Sequence, residues 1–390
     1  MRTTAQDTQA SLALQQPQWE DARPVERVRD ALGTCPPLVT ADSAERLRVL
    51  LADVAAGRAH LLQAGDCAED PAESTPRHVR SKTQLLDLLA ETVGAVTGKP
   101  VLRIGRIAGQ FAKPRSKPVE LVDGVTLPVF RGHMVNGPEP DPDQRRADPE
   151  RILTCYHAAQ DVVRELTAVN EGRPAAEQVW TSHEALLLDY ELPMLRRASG
   201  GGQYLGSAHL PWIGERTRQP DGAHVRLLAG ITNPVACKIG PGTTAEDITA
   251  LADRLDPHRL PGRLVLVARM GTGFVSSRLP ALVAAVRAAG HPAIWLCDPM
   301  HGNTITSPTG HKTRLVDAML AEIQDFGAVQ AEAGGVNGGL HLETTPDDVT
   351  ECAADVSELG SVGDRHTTFC DPRLNPRQAL RLVTGWARTL

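Results

Sequence analysis

The chain has 390 residues and a formal net charge of −6; it is long enough for one large decorated domain or two ordinary ones, and too acidic for a general nucleic-acid binder, which needs a basic face to displace counterions. Only 3% of the residues are aromatic, so the core must be aliphatic, and seven cysteines without a Cys-x-x-Cys pair exclude a disulfide framework or a zinc finger. No run of about 20 apolar residues spans a membrane and the first residues lack a signal-peptide core, so a soluble cytoplasmic protein is expected.

Residues 1–17 are polar and rich in Gln and Thr, which predicts a loose terminus. "PVERVRDALG" and "ADSAERLRVLLADVAAG" follow with helical spacing of apolar residues and Gly at the end, predicting a helical extension over 18–58. From 59 to 390 one unit repeats: a short apolar run ends in polar groups, and an amphipathic helix follows. The runs are "HLLQAGDC" (60–67), "VLRIGR" (101–106), "VWTSHE" (179–184), "LPWIGER" (210–216), "PVACKIG" (234–240), "LVLVARMG" (264–271), "AIWLCDPMH" (293–301) and "GGLHLE" (338–343). Between them, Thr244 with Asp247 predicts a capped helix start; Leu279, Leu282, Val283 and Val286 form one helical stripe, and Leu85, Leu88, Leu89, Val93 and Val96 form another. Eight strands alternating with helices predict an α/β fold, a (β/α)8 TIM barrel with an N-terminal helical extension. An open doubly wound sheet is the alternative, because the third strand is short and the 107–178 connection long.

In a barrel the chemistry sits at the carboxyl ends of the strands. Those ends present Cys67, Arg106, His183 with Glu184, Glu215 with Arg216, Lys238, Arg269, His301 and Glu343. Arg106, Arg216, Lys238 and Arg269 gather cations from four strands, the requirement of a multiply charged anion. Lys113, Arg115 and Ser116 follow Arg106 in "RIAGQFAKPRS" and read as a clamp for a second phosphate. Cys67, His301 and Glu343, joined by Asp371 from "TTFCDPRLN", make a mixed donor set suited to a divalent transition metal with open positions. Taken singly, each is more often a buried thiol, a satisfied histidine or a surface charge; together they are hard to dismiss. Asp298 is placed either to orient His301 or to cap the loop, Met300 to pack, and His183 and Glu184 divide evenly between site and scaffold.

At these residues the chain resembles a type II 3-deoxy-D-arabino-heptulosonate 7-phosphate (DAHP) synthase, from about residue 19 to the end. The motifs are "LLQAGDCAE", "RIAGQFAKPRS", "WIGERTRQPDGAH", "NPVACKIGP", "CDPMHGNT", "TGHKTR", "VTEC" and "CDPRLN". The resemblance implies 3-deoxy-7-phosphoheptulonate synthase activity: condensation of phosphoenolpyruvate with erythrose 4-phosphate at the head of the shikimate pathway. It implies Cys67, His301, Glu343 and Asp371 as ligands of a divalent metal, Mn2+ or Co2+ first and Zn2+ or Fe2+ next. Arg106, Glu215, Arg216, Lys238 and Arg269 would surround phosphoenolpyruvate, Lys113, Arg115 and Ser116 would hold the aldose phosphate, and Lys238, Glu215 and His301 would be catalytic. Cys67 and Cys370 are expected to pair in metal-free, oxidised protein. Partners implied are a second copy, as dimer or tetramer, and a chorismate mutase, with no nucleic acid or membrane.

The chain also departs from the family. Members often have Arg-Gly-Asp where it has Arg131-Gly132-His133, "TGFVSS" after Arg269 lacks the usual Lys, and Ala353-Ala354 replaces a Gly pair. These changes leave open a different acceptor, such as the amino-sugar of an amino-DAHP synthase, and a non-catalytic scaffold homologue is the other alternative. The short "LTAVNEGRPAAEQVW" resembles compact members of phenazine and other specialised-metabolite pathways, which implies weak aromatic feedback.

Overall fold

The computed structural model of the protein describes residues 12–122 and 124–390. Two helices come first, α1 (Ala22–Thr34) and α2 (Ala41–Ala55). Eight parallel strands then form one sheet: β1 (His60–Gly65), β2 (Val101–Arg106), β3 (Val179–Thr181), β4 (Trp212–Ile213), β5 (Val235–Ile239), β6 (Leu264–Ala268), β7 (Ile294–Cys297) and β8 (Asn337–Glu343). All eight expected runs supply a strand. Their hydrogen-bonded order is β3-β2-β1-β8-β7-β6-β5-β4, sequential around a ring. The remaining gap closes just beyond β3: Glu184 bridges to Trp212, and the Trp212 amide donates to the His183 carbonyl at 3.0 Å. The sheet is thus a (β/α)8 barrel, and the open alternative is excluded.

The strands of the barrel are buried on both faces, as parallel strands between helices and a filled lumen must be. Outside them lie α3 (Pro76–Thr97), α4 (Glu150–Asn170), the short α5 (Leu188–Glu191) and α6 (Ala223–Ala229), α7 (Ala245–Leu255), α8 (Val275–Ala288), α9 (Val316–Ala333) and α10 (Pro376–Ala387). Helix α7 begins with the expected Thr244–Asp247 capping box, and Asn375 and Gln378 form another at α10. In α3 the buried stripe is Leu85, Leu86, Leu89 and Val93; Leu88 and Val96, expected to be buried, face solvent.

A second cluster fills the lower lumen. Leu61, Leu102, Ile104, Trp180, Trp212, Val265, Val267, Ile294 and Leu296 point inward, and Leu47, Leu51 and Val54 of α2 plug the amino-terminal mouth. Only the carboxyl mouth is left for ligands. The part of the expected loose terminus in residues 1–11 lies outside the described residues, whereas 12–17 are anchored: Gln16 Nε2 donates to the Leu186 carbonyl at 2.8 Å, and its Oε1 accepts from the Leu188 amide at 2.9 Å. The Gln16 amide there satisfies buried backbone groups rather than water.

Candidate active site

The floor of the mouth is a polar layer threaded through the barrel. His341 of β8 is buried between Gln63 Oε1, 2.7 Å from its Nδ1, and the Arg106 guanidinium at its Nε2. Burial holds its pKa well below the usual value, and Lys238 and Arg106 add to that. A neutral ring donating from Nδ1 and accepting at Nε2 satisfies both neighbours. Arg106 also donates to Glu343 at 3.0 Å and lies 5.1 Å from the Trp212 ring centroid. This contact needs Gly65: register places Arg106 and Glu343 on either side of it, and a β-carbon there would stand 2.7 Å from the Arg106 carbonyl oxygen.

Glu343 is the hub above this floor. It contacts His301 Nε2 at 3.2 Å, Arg314 at 2.8 Å and Lys113 at 3.9 Å. Burial alone would raise its pKa, but His301, Arg314 and Arg106 reverse this and hold it well below the carboxylate range. Donor atoms of Cys67, Glu343 and Asp371 lie within 4.8 Å of one another. Asp371 Oδ2 is 3.6 Å from Cys67 Sγ, which also accepts from the Asp371 amide at 3.2 Å. Asp298 takes His301 Nδ1 at 2.8 Å, the orienting contact expected, which leaves Nε2 facing a carboxylate oxygen. Two acceptors opposed in this way require a positive charge between them, a proton or a metal ion. The donor set fits a divalent cation on that ground.

Beside this cluster opens a cavity of about 610 Å³, lined by nine Lys and Arg side chains against four carboxylates. All five residues expected around the first anion line it: Arg106, Glu215, Arg216, Lys238 and Arg269. So do Lys113, Arg115 and Ser116. Arg216 donates to Ser116 Oγ at 2.7 Å, joining the two groups. Lys238 lies 3.0 Å from Asp298 and 3.3 Å from His301 Nδ1; burial lowers its pKa. Arg269 donates to the His301 carbonyl at 2.6 Å, because the loops after β6 and β7 touch at Gly271 and Gly302, where a β-carbon on Gly271 would meet the Gly302 oxygen at 2.9 Å.

The loop carrying Lys113 to Ser116 is shaped by a buried carboxylate. Glu69 accepts three consecutive amides, of Ala108, Gly109 and Gln110, at 2.9, 2.8 and 2.6 Å. That tight wrap places Ala108 at φ 67°, uncommon for a residue with a β-carbon.

Other assignments divide. His183 is scaffold, buried and 2.8 Å from Glu191, while Glu184 lines the cavity with a buried, unpartnered Oε1. Cys297 and Met300 are buried packing residues. His133 stands between Phe130 and Phe369, with ring centroids at 5.3 and 4.9 Å, and does not line the cavity; the change at this position sits in an aromatic cluster. Arg314, Lys312 and Thr304 also line the cavity and were not singled out in the sequence. They lie on and beside the hairpin Ile305–Thr306/Lys312–Thr313, away from any strand end, although "TGHKTR" contains two of them.

Comparison with known proteins agrees with this geometry. A sequence profile of the Class-II DAHP synthetase family matches residues 3–176 and 166–387. A Pseudomonas fluorescens protein described as a probable phospho-2-dehydro-3-deoxyheptonate aldolase is 52% identical over 377 residues, 96% of this chain and 94% of the relative. Proteins of Streptomyces coelicolor and Mycolicibacterium smegmatis, both described as phospho-2-dehydro-3-deoxyheptonate aldolases, are each 40% identical, over 421 and 430 residues; the alignments cover 95% and 96% of this chain and 94% and 92% of those relatives. With the profile matched over nearly its whole length, the chain belongs to the class-II DAHP synthetase family.

Proposed function

We propose that the protein condenses phosphoenolpyruvate with erythrose 4-phosphate and water, giving DAHP and phosphate. The observation that carries this reading is the cavity itself: nine cations around one space, opening on a Cys-His-Glu-Asp donor set. Arg106, Arg216, Lys238 and Arg269 would hold the carboxylate and phosphate of phosphoenolpyruvate, and Lys113, Arg115 and Ser116 the aldose phosphate. The Arg216–Ser116 hydrogen bond supports adjoining sites, which would set C3 of one substrate against the aldehyde of the other.

Cys67, His301, Glu343 and Asp371 would hold the metal, Mn2+ or Co2+ first, with Zn2+ or Fe2+ also compatible with thiolate and imidazole. Bound there, the ion supplies Lewis acidity toward an aldehyde oxygen. Lys238, with a proton made more labile by burial, and Glu215, paired to Arg218 at 3.0 Å, flank the cavity where water would add to C2. Pairing of Cys67 with Cys370 in oxidised, metal-free protein belongs to the same reading: Cys370 adjoins Asp371, whose amide donates to Cys67 Sγ at 3.2 Å, and alkylation of both thiols after oxidation would exclude it. Service to a specialised-metabolite pathway is supported by the chain's compactness, since two relatives align over more positions than its 390 residues can fill.

The test is loss of phosphoenolpyruvate ultraviolet absorbance in metal-replete protein, with erythrose 4-phosphate and with other aldose phosphates. Loss with erythrose 4-phosphate, abolished by EDTA, is expected. Loss only with another aldehyde would replace the acceptor, and no loss with any would favour the scaffold reading.

A further inference from the structure

Residues 12–17 end against the loop that carries Arg115. Leu12 accepts from the Ala223 amide at 3.0 Å, and Gln16 is fixed by Leu186, Leu188 and its own Leu14 carbonyl. Between these anchors Gln15 is held at φ 64°, a left-handed conformation that a residue with a side chain adopts only where its surroundings demand it. What demands it lies on the other side. Gln15 Oε1 accepts from the Arg115 amide at 2.8 Å, and its carbonyl accepts from Arg131 Nη1 at 3.2 Å.

The contact is specific in what it fixes. With its amide tied to Gln15, Arg115 is left to present its guanidinium to the cavity, where its neighbours are Cys370 Sγ at 3.7 Å and Glu120 at 3.4 Å. Arg131 has no carboxylate within 4 Å among the described residues, and its pKa is lowered by burial and by the Arg115 charge. Gln15 thus fixes the backbone of Arg115 and the guanidinium of Arg131 through two neutral oxygen atoms, and brings two cations together without a countercharge of its own. Such an arrangement is favourable when an anion joins it.

We propose that Leu12–Pro17 is a built part of the aldose-phosphate subsite, with Gln15 as the positioning residue that sets Arg115 and Arg131. This rests on the reading that Lys113, Arg115 and Ser116 hold the aldose phosphate. Gln15 acts through these cations and does not itself touch substrate.

The experiment uses full-length, metal-replete protein with Gln15→Gly, which keeps the left-handed backbone and removes the side chain, and Gln15→Asn, which tolerates that backbone but falls one methylene short. Both are expected to raise KM for erythrose 4-phosphate about three- to tenfold, the effect of one lost hydrogen bond. KM for phosphoenolpyruvate and kcat should stay within twofold, a split that general destabilisation does not produce. Unchanged KM for erythrose 4-phosphate, or equal changes for both substrates, overturns the proposal. Arg115→Ala is measured in parallel. If it raises KM for erythrose 4-phosphate and the Gln15 variants do not, only the role of Gln15 fails; if Arg115→Ala has no effect, the phosphate assignment fails with it. Should one Gln15 variant not fold, the other decides.

Discussion

Arg314 shows how much one buried cation carries. It is fully enclosed, donates to Glu343 at 2.8 Å and to the Pro372 carbonyl at 2.6 Å, and so ties the hub carboxylate to the loop that bears Asp371. Arg314→Ala leaves Glu343 paired with Arg106 and His301 but cuts its tie to the Asp371 loop, a loss of about 1.5–3 kcal/mol of stability that urea denaturation will read, along with loss of activity. Glu184 presents the opposite case. Its Oε1 has no hydrogen-bond partner among the described residues, and burial raises its pKa against the pull of Lys113, Lys238, Arg216 and Arg106. Glu184→Gln should therefore leave the urea midpoint unchanged while lowering kcat by about 100- to 10,000-fold, the range of a lost proton-transfer group. Its neighbour His183 holds Glu191, so His183→Ala should do the reverse, costing about 1–3 kcal/mol with little change in kcat. If Glu184→Gln and His183→Ala behave alike, the division between site and scaffold is wrong.

At the scale of elements, the strands were legible because a parallel strand must be apolar on both faces and then stop abruptly where polar ligands begin. Cys67, Arg106, Lys238, Arg269, His301 and Glu343 all sit within a few residues of such a stop. Arg314 does not, since a two-stranded hairpin brings it in from the side. Gln15 and Gln16 were obscured by composition, which reads Gln as solvated even where it caps buried backbone. Short-range periodicity also hid which side of a helix faces inward, and so Leu88 and Val96 were misplaced. His60 is a further element-level feature: it opens β1, packs edge-on to Trp386 of α10 at 5.3 Å, and has neither ring nitrogen bonded among the described residues. Burial, with Lys99 adding, lowers its pKa to about 4. The unfolded ring takes up a proton below about 6.5 and the folded ring resists it, so stability is present above 6.5 and falls as pH drops toward 4. That window holds about 3 kcal/mol. Denaturation from pH 7 to 4 should show this slope in the parent and a shallower one in His60→Phe; equal slopes would mean that the ring is solvated.

For the whole molecule, the argument concerns what joins the parts. Cys67 follows β1, His301 follows β7, Glu343 ends β8 and Asp371 lies in the last loop, so one ion held by all four would tie the barrel's seam to its C-terminal segment. Binding to the folded chain alone adds RT ln(1 + [L]/Kd), about 4 kcal/mol at a thousandfold excess over Kd. Mn2+ or Co2+ should therefore raise the melting temperature, and Asp371→Asn should abolish most of the rise while leaving the metal-free protein folded; an equal rise in that variant would place the ion elsewhere.

Feedback is set at the same scale, because an effector acts only through a second site coupled to the first. Here α4 passes to β3 through residues 171–178 alone, with one 3₁₀ turn, Ala175–Glu177. The Streptomyces and Mycolicibacterium relatives align over 421 and 430 positions against 390 residues here, so each carries residues with no counterpart in this chain. If those residues build the effector site, this protein has nothing through which Phe, Tyr or Trp can shift its working state. Turnover under subsaturating substrates should change by less than about twofold with each amino acid at millimolar concentration, below the fivefold that marks ordinary allosteric coupling. Strong suppression by any of the three would show that the compact barrel still holds an effector site.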